Sequence, residues 1–287
     1  MTRIIFAAFL LASASPALPQ PVPPQIAQLR DAALHDDYAW DIVEGLTTEV
    51  GPRLAGTEQE ARARAWSVAK LRAMGFANVR VETFPVPVWV RGAEHAEITV
   101  PFPQPLAVTA LGNSAATPPQ GIEAELVGFD TMEQFEAAPD EAVRGKIVFV
   151  SHAMARTQDG SSYSASIAPR SRGPSVASRK GAAAIVIRSI GTDYHRNPHT
   201  GVMSFAEGVT PIPAGALSIP DAEQVQRILA RGLPVRMRLV LTPRQLGTGE
   251  SGNVIAEVPG RDRNAPPLLV SCHLDSWDLG TGAIEAL

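Results

Sequence analysis

The stretch Pro267-Leu268-Leu269-Val270-Ser271-Cys272-His273-Leu274-Asp275-Ser276-Trp277-Asp278-Leu279-Gly280 joins an apolar run to a polar cluster. Over 267–272 the run is nearly unbroken, which suits a strand covered on both faces inside a largely parallel sheet. Such a strand delivers His273 beyond the carboxyl edge of the sheet, where open α/β sheets gather their ligands. Neutral imidazole is a good zinc ligand. Its second nitrogen needs an acceptor to fix the tautomer, and Asp275, two residues on, suits that orienting role. Gly280 and Gly282 let the loop fold back without side-chain obstruction, and Glu285 could then return a carboxylate to the same point. The bland alternative is a histidine capping a strand, flanked by two solvated aspartates. Cys272, at the end of the expected strand with no positive neighbour on the chain, reads as a core thiol and not a nucleophile.

Upstream, residues 25–47 have near-helical apolar spacing. A turn-rich loop, Gly51-Pro52-Arg53-Leu54-Ala55-Gly56, leads to Thr57, which caps a helix with Glu60 as its capping-box partner, and Gly75 ends that helix. Alternation over 79–90 and 94–100 predicts strands. The prolines at 101, 103, 105, 118 and 119 predict a domain crossing or a long loop over 101–120, and Pro243 with Gly247, Gly249 and Gly252 predicts a second crossing over 243–252. Between them the elements are short. Strands are expected at 123–127, 146–150, 183–187 and 235–239, and Asp221 is expected to cap a helix running to Ala230. Residues 189–215 read as a loop containing His195 and His199, which suits an ordinary interface loop, a second metal site or a substrate contact. Gly247-x-Gly249-x-x-Gly252 matches the dinucleotide fingerprint only formally, because a strand pattern and not a helix follows it. The expected architecture is an α/β domain interrupted by a β-rich module at about 115–245.

Composition bounds the function. The 287 residues carry 25 Lys+Arg and 29 Asp+Glu, a net charge of −4, so no basic face for nucleic acid is expected. With 45% hydrophobic and 19% charged residues, the chain can bury a sizeable core. A single cysteine excludes an intrachain disulfide framework and a thiolate-clustered zinc site. Residues 1–17 read as a secretory signal peptide: Arg3, an apolar run over 4–12, then small residues. That run is far short of the ~20 residues that span a bilayer, and no later run reaches ~18, so no membrane partner is expected. The location expected is periplasmic or secreted.

The motif His273-x-Asp275-Ser276-Trp277-Asp278-x-Gly280-x-Gly282-Ala283 resembles the zinc exopeptidase family that includes carboxypeptidase Q. The resemblance also covers 51–57, Trp89-x-Arg91-Gly92, Pro198-His199-Thr200-Gly201 and Gly252-Asn253-Val254, and so runs from about residue 30 to 285. It implies the following division: signal peptide 1–17, first part of the peptidase domain 18–114, a protease-associated insert 115–245, and the start of the zinc-binding part 246–287. The fold class implied is α/β, an incomplete zinc-exopeptidase sheet with helices, interrupted by the β-rich insert. The activity implied is hydrolysis of dipeptides or short peptides by metal-activated water at a two-zinc site. In that scheme His273 is a zinc ligand and Asp275 is the catalytic carboxylate that orients it. Glu285 stands where the family has a bridging aspartate, and His199 is a substrate-cleft residue. The family's general base and its later ligands have no counterpart before Leu287. The expectation is therefore a truncated chain with an incomplete zinc site and no appreciable activity. A homodimer is left open. The competing expectation is a noncatalytic peptide- or protein-binding module centred on 115–245.

Overall fold

The computed structural model describes residues 22–262 and 264–283. The expected signal peptide at 1–17 and Glu285 both lie outside the described residues. Two compact units are present, Met1–Gly45 and Leu46–Leu287. In the first, the described elements are helices α1 (Pro24–Ala33) and α2 (Tyr38–Gly45).

The second unit opens with a π-helical turn at Leu46–Val50, followed by α3 (Glu58–Ala73) and a long strand, β1 (Ala77–Val90). Thr57 caps α3 as expected, accepting from the Glu60 backbone N–H at 3.4 Å. The reciprocal half of a capping box is replaced: the buried Glu60 carboxylate turns to Arg64 at 3.3 Å and to the Ser251 hydroxyl at 3.3 Å. Next come β2 (Glu94–Val100), β3 (Gln104–Leu106), β4 (Val108–Ala110) and β5 (Ile122–Phe129). They are followed by α4 (Met132–Ala137), β6 (Ile147–Val150), α5 (Ser162–Ser166), α6 (Ala168–Ser171), α7 (Gly173–Arg179) and β7 (Ala184–Arg188). The last elements are β8 (Ala214–Leu217), α8 (Ile219–Leu229), β9 (Arg236–Leu241) and β10 (Arg244–Glu257).

Eight strands form one mixed sheet in the order β3-β2-β9-β5-β6-β7-β8-β4. Its two outer strands, β3 and β4, are consecutive in the chain and separated by Ala107 alone. The sheet therefore curls until its ends meet covalently, a nearly closed but unsealed barrel. The parallel strands β6 and β7 are buried on both faces, as their unbroken apolar runs predict. Alternate residues explain how. Ile147, Phe149, Ala184 and Val186 join the inner core with α8, Met237 and Leu239. Val148, Val150, Ile185 and Ile187 join the outer core with Met132, Phe135 and Ala177. The class is mixed α/β, and the sheet begins upstream of residue 115, because β2, β3 and β4 belong to it.

The two flanks of this sheet are tied together. β1 and β10 pair antiparallel as a two-stranded ribbon, with α3 packed against it. At its base Ala93 and Thr242 exchange hydrogen bonds of 2.7–3.0 Å, so the chain enters and leaves the curled sheet at neighbouring points.

Four expectations are corrected. Residues 101–120 are not simply a crossing or loop, since β3 and β4 lie within them; Pro105 falls in the edge strand β3, where a missing N–H costs no ladder bond, while Pro101, Pro103, Pro118 and Pro119 lie outside the strands. Residues 243–252 are not a linker but most of β10, and a strand rather than a helix holds Gly247, Gly249 and Gly252. Asp221 does not cap α8. Ser218 does, accepting from Asp221 N at 3.3 Å, while the Asp221 carboxylate accepts from Ala107 N at 2.8 Å and so pins the joint between β3 and β4. The largest difference is at 267–272, which is not a strand. Leu268, Leu269 and Val270 are 92%, 85% and 87% exposed, and Cys272 is exposed too. An apolar run becomes a parallel strand only where neighbours supply ladder partners and cover, and none of the described strands pairs with this one.

Limited proteolysis is expected to cut first within 258–262 or 264–272, because this backbone is exposed and outside any ladder. Cleavage within the strands at 104–110 or 244–252 is expected only later, and mass spectrometry of early fragments checks the order.

Candidate functional site

Although 267–272 is unsupported, the residues just after it are gripped from two sides. The first grip is Arg53, from the turn-rich loop before α3. Its side chain is 1% exposed. Arg53 Nε donates to the Leu274 carbonyl at 2.6 Å, and Nη1 donates to the carbonyls of Gly51 and Gly282, each at 3.2 Å. The backbones of Arg53 and Ser276 also meet: Ser276 N donates to the Arg53 carbonyl at 3.1 Å, and Arg53 N donates to Ser276 Oγ at 3.3 Å. Burial pushes the Arg53 guanidinium below its ordinary pKa, and the negative charge of Asp275 works against that shift. Gly282 is needed here. Its φ is +75°, and a Cβ would lie 2.6 Å from Ser276 Oγ and 2.9 Å from Arg53 Nη1.

The second grip is Arg91, at the exit of β1. It forks onto Asp278, with Nε–O distances of 3.0 and 2.9 Å and an Nη2–O distance of 2.9 Å. Its Nη1 donates to Glu94 Oε1 at 2.9 Å, Thr109 Oγ1 at 2.7 Å and the Ala110 carbonyl at 2.5 Å. Glu94 Oε1 in turn accepts from Ala110 N at 2.7 Å. These two side chains thus satisfy the backbone N–H and C=O of Ala110 at the open edge of β4. Burial lowers the Arg91 pKa, but the Asp278 hydrogen bonds and the charges of Glu94 and Asp278 outweigh it and hold it raised. The guanidinium also lies 5.0 Å from the Trp89 ring centroid.

Between the two grips sits Trp277. Its ring lies against Gly112, where a Cβ would come 2.5 Å from Cη2. With Leu279 and Gly282 it forms one wall of a cleft whose other wall is the 189–200 loop and Ile219. That loop is pinned by His199 N donating to Ser189 Oγ at 2.9 Å and by Thr200 Oγ1 donating to the Ala110 carbonyl at 3.0 Å. His199 meets the Tyr163 ring edge-on, with centroids 6.3 Å apart. Burial, helped by the charge of Arg170, depresses its pKa below the usual histidine range, so the imidazole is neutral at pH 7.

The structure brings some of the expected site residues together and leaves others apart. His273 Nδ1 lies 2.9 Å from Asp275 Oδ1, the geometry of an imidazole oriented by a carboxylate. His273 is exposed. His199 lines the cleft, and His273 does not. Among the described residues, no group of three or more His, Cys, Asp or Glu side chains is placed to hold a metal. The donors among the described residues therefore fit one oriented ligand position and not a full zinc shell. Sequence reasoning assigned no role to Arg53, Arg91 or Asp278. The available signal was that each falls inside a motif with few other charges, yet the partner of each arginine is more than 180 positions away.

No protein-family model matches the chain. It is 34% identical to carboxypeptidase Q from Bos taurus over 240 residues, which are 84% of this chain and 49% of that protein. The identity to carboxypeptidase Q from Homo sapiens is 33% over the same extent. Among solved structures it is similar to a peptidase M28 precursor from Shewanella amazonensis SB2B, with a TM-score of 0.86 and 48% identity over 90% of this chain and 58% of that one. A zinc aminopeptidase from Bacillus subtilis shares the fold alone, with a TM-score of 0.56 and 21% identity over 85% of this chain and 52% of that one. The chain spans about half the length of the curated relatives it matches. These likenesses link it at the family level to M28 peptidases and carboxypeptidase Q.

Two measurements check this site. Arg91→Ala is expected to cost about 3–5 kcal/mol in urea unfolding, because Glu94 and Asp278 are left half-buried without their cation. Arg53→Ala should cost about 1–3 kcal/mol by leaving buried carbonyls unpaired. For His199 the folded pKa is depressed. Its contribution to stability is therefore fully present above the unfolded value of about 6.5 and is lost as pH falls through the folded one. His199→Gln should flatten the loss of stability between about pH 7 and 5 relative to the parent chain, read by unfolding at each pH.

Proposed function

We propose that this chain carries part of a zinc-dependent exopeptidase of the carboxypeptidase Q type, acting on dipeptides or short peptides. The observation that carries the reading is the His273–Asp275 pair on a loop gripped by Arg53 and Arg91, beside a cleft. In this reading His273 is a zinc ligand, Asp275 holds the imidazole in its ligating tautomer, and Glu285 is a second ligand. His199, neutral and set in the cleft wall, contacts the substrate. When bound, zinc would lower the pKa of a water and polarise the scissile carbonyl. The chain's own residues orient the ligand, position the loop and shape the cleft. Two ions are expected in relatives with a complete site. Two proposed ligands fill half of a four-coordinate shell, so this chain by itself is expected to bind zinc weakly and to hydrolyse no peptide appreciably. Export by way of residues 1–17 places it in the periplasm or outside the cell.

A second reading rests on a different observation, the adjacency of Ala93 and Thr242 where the chain enters and leaves the curled sheet. This adjacency is what an inserted module requires, and in the second reading that module is a protease-associated insert that binds peptides or proteins without catalysis.

Zinc titration of the purified chain tests the first reading, with dipeptide hydrolysis followed in parallel. His273→Ala is expected to abolish whatever specific zinc binding the chain shows. Asp275→Ala should weaken it by about 10–100-fold, the range for removing a ligand's orienting partner. Zinc binding that is indifferent to His273 overturns the assignment and leaves the noncatalytic module as the reading.

A further inference from the structure

The carboxyl ends of the parallel strands β5 and β6 lie side by side, with Phe129 registered against Val150. The residues that emerge next, Asp130 and Ser151, therefore meet. Ser151 Oγ donates to Asp130 Oδ1 at 3.1 Å, and Ser151 N donates to the Phe129 carbonyl at 2.9 Å. Both helices nearby take part. Gln226, on α8, donates from Nε2 to Ser151 Oγ at 2.9 Å, and Gln134, on α4, accepts from Asp130 N at 3.0 Å. Between the strand ends and α8 lies a cavity of about 220 Å³, lined in part by Gly128, Asp130, Ser151, Gln226, Leu229 and Ala230. Parallel α/β sheets take ligands beyond the carboxyl ends of their strands, and this cavity has that position. It shares no residue with the cleft beside Trp277.

The cavity has the character of an acceptor. Asp130 is the one titratable residue in its lining, and among the described residues no lysine, arginine or histidine pairs with that carboxylate. The Ser151 hydroxyl orients it without neutralising it. Arg188 reaches Gln226 Oε1 at 3.5 Å, but its charge is met by Glu223 at 2.9 Å. His152, next in the chain to Ser151, acts on Glu133. A divalent metal takes six or more oxygen ligands, and one carboxylate with a hydroxyl and an amide falls short of that shell. An anion would be repelled. A compact cation with several N–H donors and an apolar stem fits both halves of the lining: its head meets Asp130, and its carbons lie along the half-buried Leu229 and Ala230.

The geometry points to a binding site for a primary alkylammonium group at Asp130. A lysine side chain and the free amino end of a peptide share this chemistry. The inference goes beyond the peptidase reading and rests on the cavity alone.

The test is an NMR titration of the ¹⁵N-labelled full chain in phosphate buffer, which contains no amine. The probes are N-acetyl-lysine methylamide, leucine methylamide with its free amino end, the uncharged N-acetyl-norleucine methylamide, and calcium chloride. The two ammonium probes are expected to shift the amides of Gly128, Asp130, Ser151 and Gln226 saturably. At least one should bind about fivefold or more tighter than the uncharged probe, as a charge-assisted hydrogen bond requires, and the tighter of the two names the source of the ammonium. Asp130→Asn, a change at an exposed position that keeps the side-chain shape, should abolish that preference. Gly128→Ala, whose Cβ would come 2.6 Å from Leu229 Cδ1, should weaken both ammonium probes about threefold or more by narrowing the cavity. The amide spectrum shows whether each variant is folded, and Asp130→Asn decides the matter if Gly128→Ala is not. His273→Ala should leave binding unchanged, which separates this site from the proposed zinc loop. Equal affinity for the uncharged probe, a preference that survives Asp130→Asn, tighter binding of calcium at the same amides, or no saturable shift overturns the site. None of these results bears on the peptidase reading, which stands or falls on zinc binding through His273.

Discussion

Arg91 occupies the point where the curled sheet fails to close. β3 and β4 are neighbours in sequence but not hydrogen-bonded partners, so β4 has a polar backbone edge facing β2. A buried backbone group without a partner is costly. Here the side chains of Glu94 and Arg91 supply the partners, one accepting from Ala110 N and the other donating to its carbonyl. Once Arg91 is committed to that edge, its remaining N–H groups point outward, and Asp278 is the carboxylate that meets them. The seam of the sheet and the position of the 273–283 loop are therefore a single constraint, expressed through one guanidinium. Lysine, with a point charge and no planar fork, could not serve both edges at once.

Arg53 complements this from the other side by a different chemistry. It binds carbonyls rather than a carboxylate, so it holds the path of the loop without neutralising Asp275. The loop is fixed by one arginine through its backbone and by the other through a side chain, while His273 stays exposed between the anchored loop and the unpaired 258–272 segment. Anchoring the residues that follow a candidate ligand, and not the ligand itself, gives a site that is positioned before any ion arrives. Trp277 links this arrangement to the cleft, because the same loop that carries the His273–Asp275 pair also supplies one cleft wall.

Much of the local structure was legible from the chain. Thr57 announces α3 because a hydroxyl before a helical pattern satisfies an orphan N–H wherever the helix later packs. The apolar runs at 147–150 and 184–188 are strands because β-branched residues buried on both faces have few alternatives. Pro105 and the glycines at 247–252 misled in the opposite direction. Both residue types break structure in general, but an edge strand tolerates proline, and a two-stranded ribbon exposed on much of its surface tolerates glycine. Asp221 and Ser218 are equally good caps by type, and the choice was made by Ala107, whose N–H draws the Asp221 carboxylate away.

The site shows where local information ends. The sequence by itself determined the His273–Asp275 pairing, because two residues two positions apart cannot avoid each other's neighbourhood, and it determined the turn that Gly282 requires. It also carried the family-level link, through motifs that are short and contiguous. Only the tertiary structure decided that 267–272 is exposed, that β1 pairs with β10 across some 150 intervening residues, and that Arg53 and Arg91 close on the loop from opposite sides. The physical reason is the range of the forces involved. Capping, turn formation and neighbouring hydrogen bonds are settled within a few residues. A strand's burial and a buried arginine's partner depend on which distant backbone arrives beside them, and no local pattern encodes that arrival.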